Sequence, residues 1–135
     1  MLGGIDHVAV AVADLDAAIA HFERVWELGV TRRERVEDQG VEEAMLTVGG
    51  SSLQLLGAIS PEGTVGRFLA SRGEGLHHIA FRVDDLAATL AELDAKGVEL
   101  IDRSPRPGGG GQSVAFVHPK SNHGLLVELV QATAE

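Results

Sequence analysis

Four polar side chains hold matching places in the two halves of this chain, and they are where its chemistry can be sought. His7 lies in DHVAVAV, 6–12, and His78 in a later copy of that stretch, HHIAFRV, 77–83. The copies align through Val12 with Val83, Asp14 with Asp85 and Leu15 with Leu86. Each half also closes on a similar segment, LQLL at 53–56 and VELV at 127–130, which sets Gln54 against Glu128. Two imidazoles, an amide and a carboxylate make a nitrogen and oxygen donor set with no thiolate. Such a set suits Co²⁺, Mn²⁺, Ni²⁺, Fe²⁺ or Zn²⁺. A lone strand histidine is more often structural, but buried polar groups without partners are costly, so a repeated cluster needs a common partner. One divalent ion per chain, Co²⁺ first among these, is that partner. Four protein ligands in an octahedral shell leave two positions for substrate or water. A hydrogen-bonded polar cleft with no metal is the alternative.

The elements that would position these residues follow from hydrophobic period. Val8, Val10 and Val12 alternate with His7, Ala9 and Ala11, which predicts a strand with its valines toward a helix-covered core. His7 then sits on the opposite face, where small alanines leave space. Asp14 is a predicted N-cap for a helix bearing Leu15, Ala18, Ile19, Phe22 and Trp26 on one side, with Gly29 closing the helical region. A strand over about 30–36, the turn EDQG and two further strands complete the first half. Phasing of VEEAMLTV puts Ala44 and Leu46 with Glu42 on the core face and Glu43 on the other, with Gln54 across from it on the next strand.

Thr64 is placed as the cap of a short connector helix through Ser71, and Gly73 and Gly75 release the chain into the second copy. There Ile79, Phe81 and Val83 take the core face, and Asp85 caps a helix through about Lys96 that stops at Gly97. VELI, the glycine-rich loop DRSPRPGGGGQ, SVAFVHP and LLVELV follow. Each half thus reads strand, helix, three strands. The expected fold is α+β: one domain over 1–135, with module one about 1–58, a connector about 59–74 and module two about 75–135. Two tandem βαβββ modules would form a curved sheet around a metal-binding cleft, with helices outside and an open concave face.

Glu43 is a fifth residue of interest, turned into the same concavity without a place in the ligand set. His77 is expected to pack near its strand start, His118 and His123 to be structural and His21 to be solvated. Arg103, Arg106 and Lys120 surround the glycine-rich loop and are the candidates for holding phosphates, with Ser121 and the backbone of Gly110 and Gly111 beside them.

Composition excludes several classes. Twenty acidic against eleven basic residues leave a formal charge of −9, which argues against nucleic acid as a partner. No cysteine means no disulfide, thiolate metal site or cysteine nucleophile. MLGGID has no leader character and no apolar run reaches membrane-spanning length, so no membrane association and a cytoplasmic location are expected.

Taken together, RGEGLHHIAFRVDDL, PGGGG followed by VAFVHPKS, and EDQGVEEAML resemble the methylmalonyl-CoA epimerase family of the vicinal oxygen chelate superfamily. The resemblance covers essentially the whole chain; the first helix departs from it, with RVWELGV where a leucine-glycine-leucine turn is usual. It implies His7, Gln54, His78 and Glu128 as metal ligands and Glu43 with Glu128 as the acid/base pair. It implies epimerisation of (2R)- and (2S)-methylmalonyl-CoA by α-proton abstraction through an enolate-like intermediate, a CoA thioester substrate and a homodimer. Two carboxylates on different strands could serve the two faces of such a substrate. Glyoxalase I shares the architecture and a similar ligand set; Glu43 and the HPKS loop favour the epimerase. A metal-free binding protein of the same fold is a third reading, and an extradiol dioxygenase is disfavoured because Gln54 fills a place that oxygen chemistry needs.

Overall fold

The computed structural model describes residues 1–132. Its residues gather into two compact units, one of His7–His77 and one of Met1–Asp6 with the chain from His78 onward. The first unit takes the second half of β1 (Leu2–Ala11), then α1 (Leu15–Trp26), β2 (Val30–Val36), β3 (Val41–Val48), β4 (Ser51–Ala58) and α2 (Thr64–Arg72). Its strands lie in the order β2-β3-β4-β1, with β1 parallel to β4 and the other pairs antiparallel. The second unit takes most of β5 (Gly75–Val83), then α3 (Leu86–Ala95), β6 (Arg106–Pro107), β7 (Ser113–Val117) and β8 (Val127–Gln131). Its order is β6-β7-β8-β5, again with one parallel pair, β5 with β8. One motif is built twice.

The repeat extends to helix starts and cores. Asp14 accepts from the Ala17 N–H at 3.0 Å, and Asp85 from the Ala88 N–H at 3.0 Å, so both helices begin on the same Asx cap. Leu15 and Ile19 of α1 then bury against Val12, Ala44, Leu46 and Leu55. Leu86 and Leu90 of α3 do the same against Val83, Ala115, Val117, Val127 and Leu129. Each such leucine contributes about 1.5–3 kcal/mol of burial. No described helix is long and apolar enough to cross a membrane.

Several local expectations change. The face of the first unit carrying Ala9 and Ala11 is not open throughout: Val65 of α2 packs there with Val41 and Leu56, flanked by Phe68 and Leu69. The small alanines make room for the connector helix. Gly66 lets α2 sit tightly on the preceding turn, since a Cβ there would lie 2.4 Å from the Ser60 carbonyl oxygen. Thr64 is the first residue of α2, not its cap; Gly63 holds the N-cap position with no side-chain bond, and the helix continues to Arg72. Helix α1 stops before Gly29, on Glu27 in the left-handed region at φ 57°, whose N–H reaches the Phe22 carbonyl. VELI provides only an isolated bridge from Leu100 to Val117, and the first of the three strands after α3 is the two-residue β6 inside the loop.

Candidate active site

His7, Glu43, Gln54, His78 and Glu128 are each 4 or 5 % exposed, so these polar groups depend on the protein for partners. In the first unit, β3 and β4 place Met45 opposite Gln54 and Glu43 opposite Leu56. Glu43 and Gln54 are therefore diagonal neighbours on one face, and the Gln54 Nε2 amide donates to Glu43 Oε2. On the other side of Glu43, Arg32 Nη1 donates to Oε1 at 2.9 Å while also holding Glu34 Oε1 at 2.8 Å. Arg32 was missed by periodicity: β2 is polar, and nothing in VTRRERV marks which arginine turns toward Glu43. His7 shares the Ala9 face of β1, and Ala9 lies beside Gln54 in the β1–β4 register.

Gln54 carries a diagnostic detail. With its amide nitrogen committed to Glu43, its Oε1 is buried and has no hydrogen-bond partner. The reverse orientation would press a carbonyl oxygen against a carboxylate, so the sequence of partners fixes the amide. What it leaves over is an oxygen of the kind a divalent cation takes.

In the second unit, parallel pairing sets Ala80 beside Glu128, with His78 two residues earlier on the same face of β5. His78 Nε2 lies 3.0 Å from Glu128 Oε1. That spacing matches a hydrogen bond, and equally the edge between adjacent ligands of an octahedral dication with bonds of about 2.1 Å. Phe116, opposite Glu128 on β7, holds the His78 ring edge-on at 5.4 Å between centroids. Donor types, burial and the orphaned amide oxygen all fit a divalent metal.

The other histidines lie outside these groupings. His77 packs its ring on Phe68 at 5.0 Å, and His118 Nδ1 accepts from the Lys120 N–H at 3.0 Å. His123 closes the Pro119–Asn122 turn at φ 56°, and His21 is exposed. Of the basic residues, Arg103 is paired with Asp94 at 2.9 Å. Arg106 lies 3.3 Å from Asp102 and over the Phe116 ring. Lys120 is exposed, and Ser121 Oγ accepts from the Glu99 N–H at 2.8 Å. Gly110 and Gly111 take positive φ of 66° and 72°, in which their amides turn out of the extended chain.

Residues 6–116 match the Glyoxalase/Bleomycin resistance protein/Dioxygenase superfamily. The ethylmalonyl-CoA/methylmalonyl-CoA epimerase of Cereibacter sphaeroides is 33 % identical over 97 % of this chain and 99 % of its own length. A methylmalonyl-CoA epimerase solved in complex with methylmalonyl-CoA and NH4⁺ superposes with TM-score 0.96 at 41 % identity, covering 99 % of this chain and 97 % of that one. A probable lactoylglutathione lyase of Vibrio cholerae is more distant, 29 % identical over 93 % of this chain and 88 % of its own. The duplicated strand-helix-three-strand motif is thus the vicinal oxygen chelate fold, and the chain belongs to the Glyoxalase/Bleomycin resistance protein/Dioxygenase superfamily and, within it, to the methylmalonyl-CoA epimerases.

Proposed function

We propose that this enzyme interconverts (2R)- and (2S)-methylmalonyl-CoA, taking the α-proton from one face and returning one to the other through an enolate-like intermediate, with Glu43 and Glu128 as the two bases. The observation that carries this reading is Glu43: a buried carboxylate held by Arg32 and Gln54, outside the repeated ligand positions. Because Glu43 lies outside the ligand positions that the epimerase and glyoxalase readings share, it favours the epimerase. His7, Gln54, His78 and Glu128 would hold one divalent ion; His7, His78 and Glu128 are buried groups of ligand type, and the unpartnered Gln54 oxygen supports the fourth place. Co²⁺ is the proposed ion, with Mn²⁺, Ni²⁺, Zn²⁺ and Fe²⁺ sharing its donor preference. Bound there, the ion supplies Lewis-acid stabilisation of charge on the substrate's thioester and carboxylate oxygens.

The chain's own residues do the rest. Arg32 and Gln54 orient the Glu43 carboxylate, and Glu128 serves the opposite face of the α-carbon. Phe116 fixes the His78 ring. Lys120, Ser121, Arg103 and Arg106, with the Gly110 and Gly111 amides, would take the CoA phosphates despite the acidic net charge. A cytoplasmic homodimer belongs to the same proposal.

The test is proton exchange. The purified, metal-analysed protein is incubated in deuterated water with methylmalonyl-CoA and, separately, with the glutathione hemithioacetal of methylglyoxal. Exchange and inversion of the CoA ester are expected. Turnover of the hemithioacetal alone would make it a glyoxalase; no metal and no turnover would make it a binding protein.

A further inference from the structure

We infer that Arg32 is a positioning residue for Glu43, brought to it by an irregularity in β2; the inference rests on the reading of Glu43 as a base. The register of β2 against β3 runs Val30 to Leu46 and then Arg32 to Met45, so Thr31 is an inserted residue. An unbroken pairing would carry Arg32 opposite Ala44, whose side chain lies in the core under α1. The insertion turns the strand over, and everything after it faces the other way.

Packing records the reversal. Val30 belongs with Leu46 and Leu55 under α1, whereas Val36 belongs with Val41, Leu56 and Val65 on the opposite face. Their even spacing would put both on one face of a regular strand. Arg33 lands on the α1 side, paired with Asp16 at 2.7 Å and Glu42 at 3.0 Å. Arg32 lands on the side of Met45 and Glu43. There a single nitrogen, Nη1, bridges Glu34 and Glu43, with the guanidinium side chain 30 % exposed and Glu43 6 %.

The geometry gives Glu43 two fixed donors on two different oxygens: Arg32 on Oε1 and Gln54 on Oε2. A carboxylate gripped at both oxygens cannot rotate about its last torsion, which is otherwise broad. Gln54 alone would leave that torsion as a hinge. Arg32 thus keeps the lone pair of Glu43 aimed at one point in space, and a reacting proton must arrive there for transfer to be efficient. Its role is exerted through the base that it touches.

The experiment measures steady-state kinetics and stereoisomer-resolved exchange in deuterated water for Arg32→Ala, Arg32→Lys, Glu43→Gln and the double variant. Arg32→Ala should lower kcat roughly 10- to 100-fold, the range of one charge-assisted hydrogen bond, with KM and metal content unchanged. Exchange should slow for the same stereoisomer that Glu43→Gln slows, and not for its mirror partner. Arg32→Lys should recover part of the rate. Adding Arg32→Ala to Glu43→Gln should cost nothing more, because the group being positioned is gone. Should Arg32→Ala unfold, Arg32→Gln is read in the same assays. Wild-type kcat in Arg32→Ala, equal slowing of both stereoisomers, or a multiplied loss in the double variant would overturn the inference while leaving Glu43 as the base. Wild-type turnover in Glu43→Gln would overturn the base assignment itself.

Discussion

The two units repeat their frame and diverge in their chemistry. Gln54 in the first corresponds to Glu128 in the second, and each faces a bulky neighbour across an antiparallel pair, Met45 and Phe116. Two residues before Met45 stands Glu43, opposite Leu56; two residues before Phe116 stands Val114, opposite Val130. Where the first unit buries a carboxylate between Arg32 and Gln54, the second buries Val114 against Ala80 and Val130. In the second unit the buried carboxylate is instead Glu128, at a proposed ligand position 3.0 Å from His78. Among the described residues, the first unit therefore buries one carboxylate, Glu43, outside the proposed ligand positions, and the second has Val114 in the corresponding place. On the proposed reading, inversion needs two bases, and Glu43 and Glu128 would serve as that pair.

Removing His78 tests the second unit most severely. His78→Ala should leave a folded protein that loses its metal and its activity; elemental analysis and circular dichroism decide, and full metal content in that variant would remove His78 from the ligand set. Glu43→Gln tests the first unit, keeping size while deleting the base. Epimerisation should fall roughly 100- to 10,000-fold, the usual span for a general base, with metal content near wild type and one stereoisomer still exchanging its proton.

Installing the missing counterpart asks whether the second unit could carry a base too. Val114→Glu puts a carboxylate among Ala80 and Val130, with Arg106 opposite it on β6 but no amide like that of Gln54 beside it. It should destabilise by about 3 kcal/mol, read as a shifted urea midpoint; unchanged stability would mean that the two sites differ less than they look. Lys120→Ala should raise KM several-fold with little change in kcat, an effect that shrinks as salt rises. An unchanged KM in it and in Arg103→Ala and Arg106→Ala would put the phosphates elsewhere. The smallest effects belong to what the units share: Asp14→Ala and Asp85→Ala should each cost about 1 kcal/mol and leave kcat alone.

Much of this was legible in the chain. Alternation within DHVAVAV, VEEAMLTV, LQLL and VELV determined which side chains share a face, because parity along a strand is local and buried faces tolerate no slip. It placed Glu43 with Gln54, and His78 with Glu128, before any pairing was known. The Asx caps were equally local, as an aspartate needs only the next turn of its own helix. Tertiary structure decided the rest. Helix α2 covers Ala9 and Ala11 because its small apolar face found a partner there, and composition does not say which of two apolar faces a connector will choose. VELI lost its strand because its neighbour β7 already pairs with β8 on one side and meets β6 on the other, so only Leu100 bridges to it. The amide orientation of Gln54 and the inserted Thr31 that turns Arg32 toward Glu43 both depend on a partner strand. A polar strand such as β2 has no hydrophobic period to interrupt, so its reversal leaves no trace until β3 lies beside it.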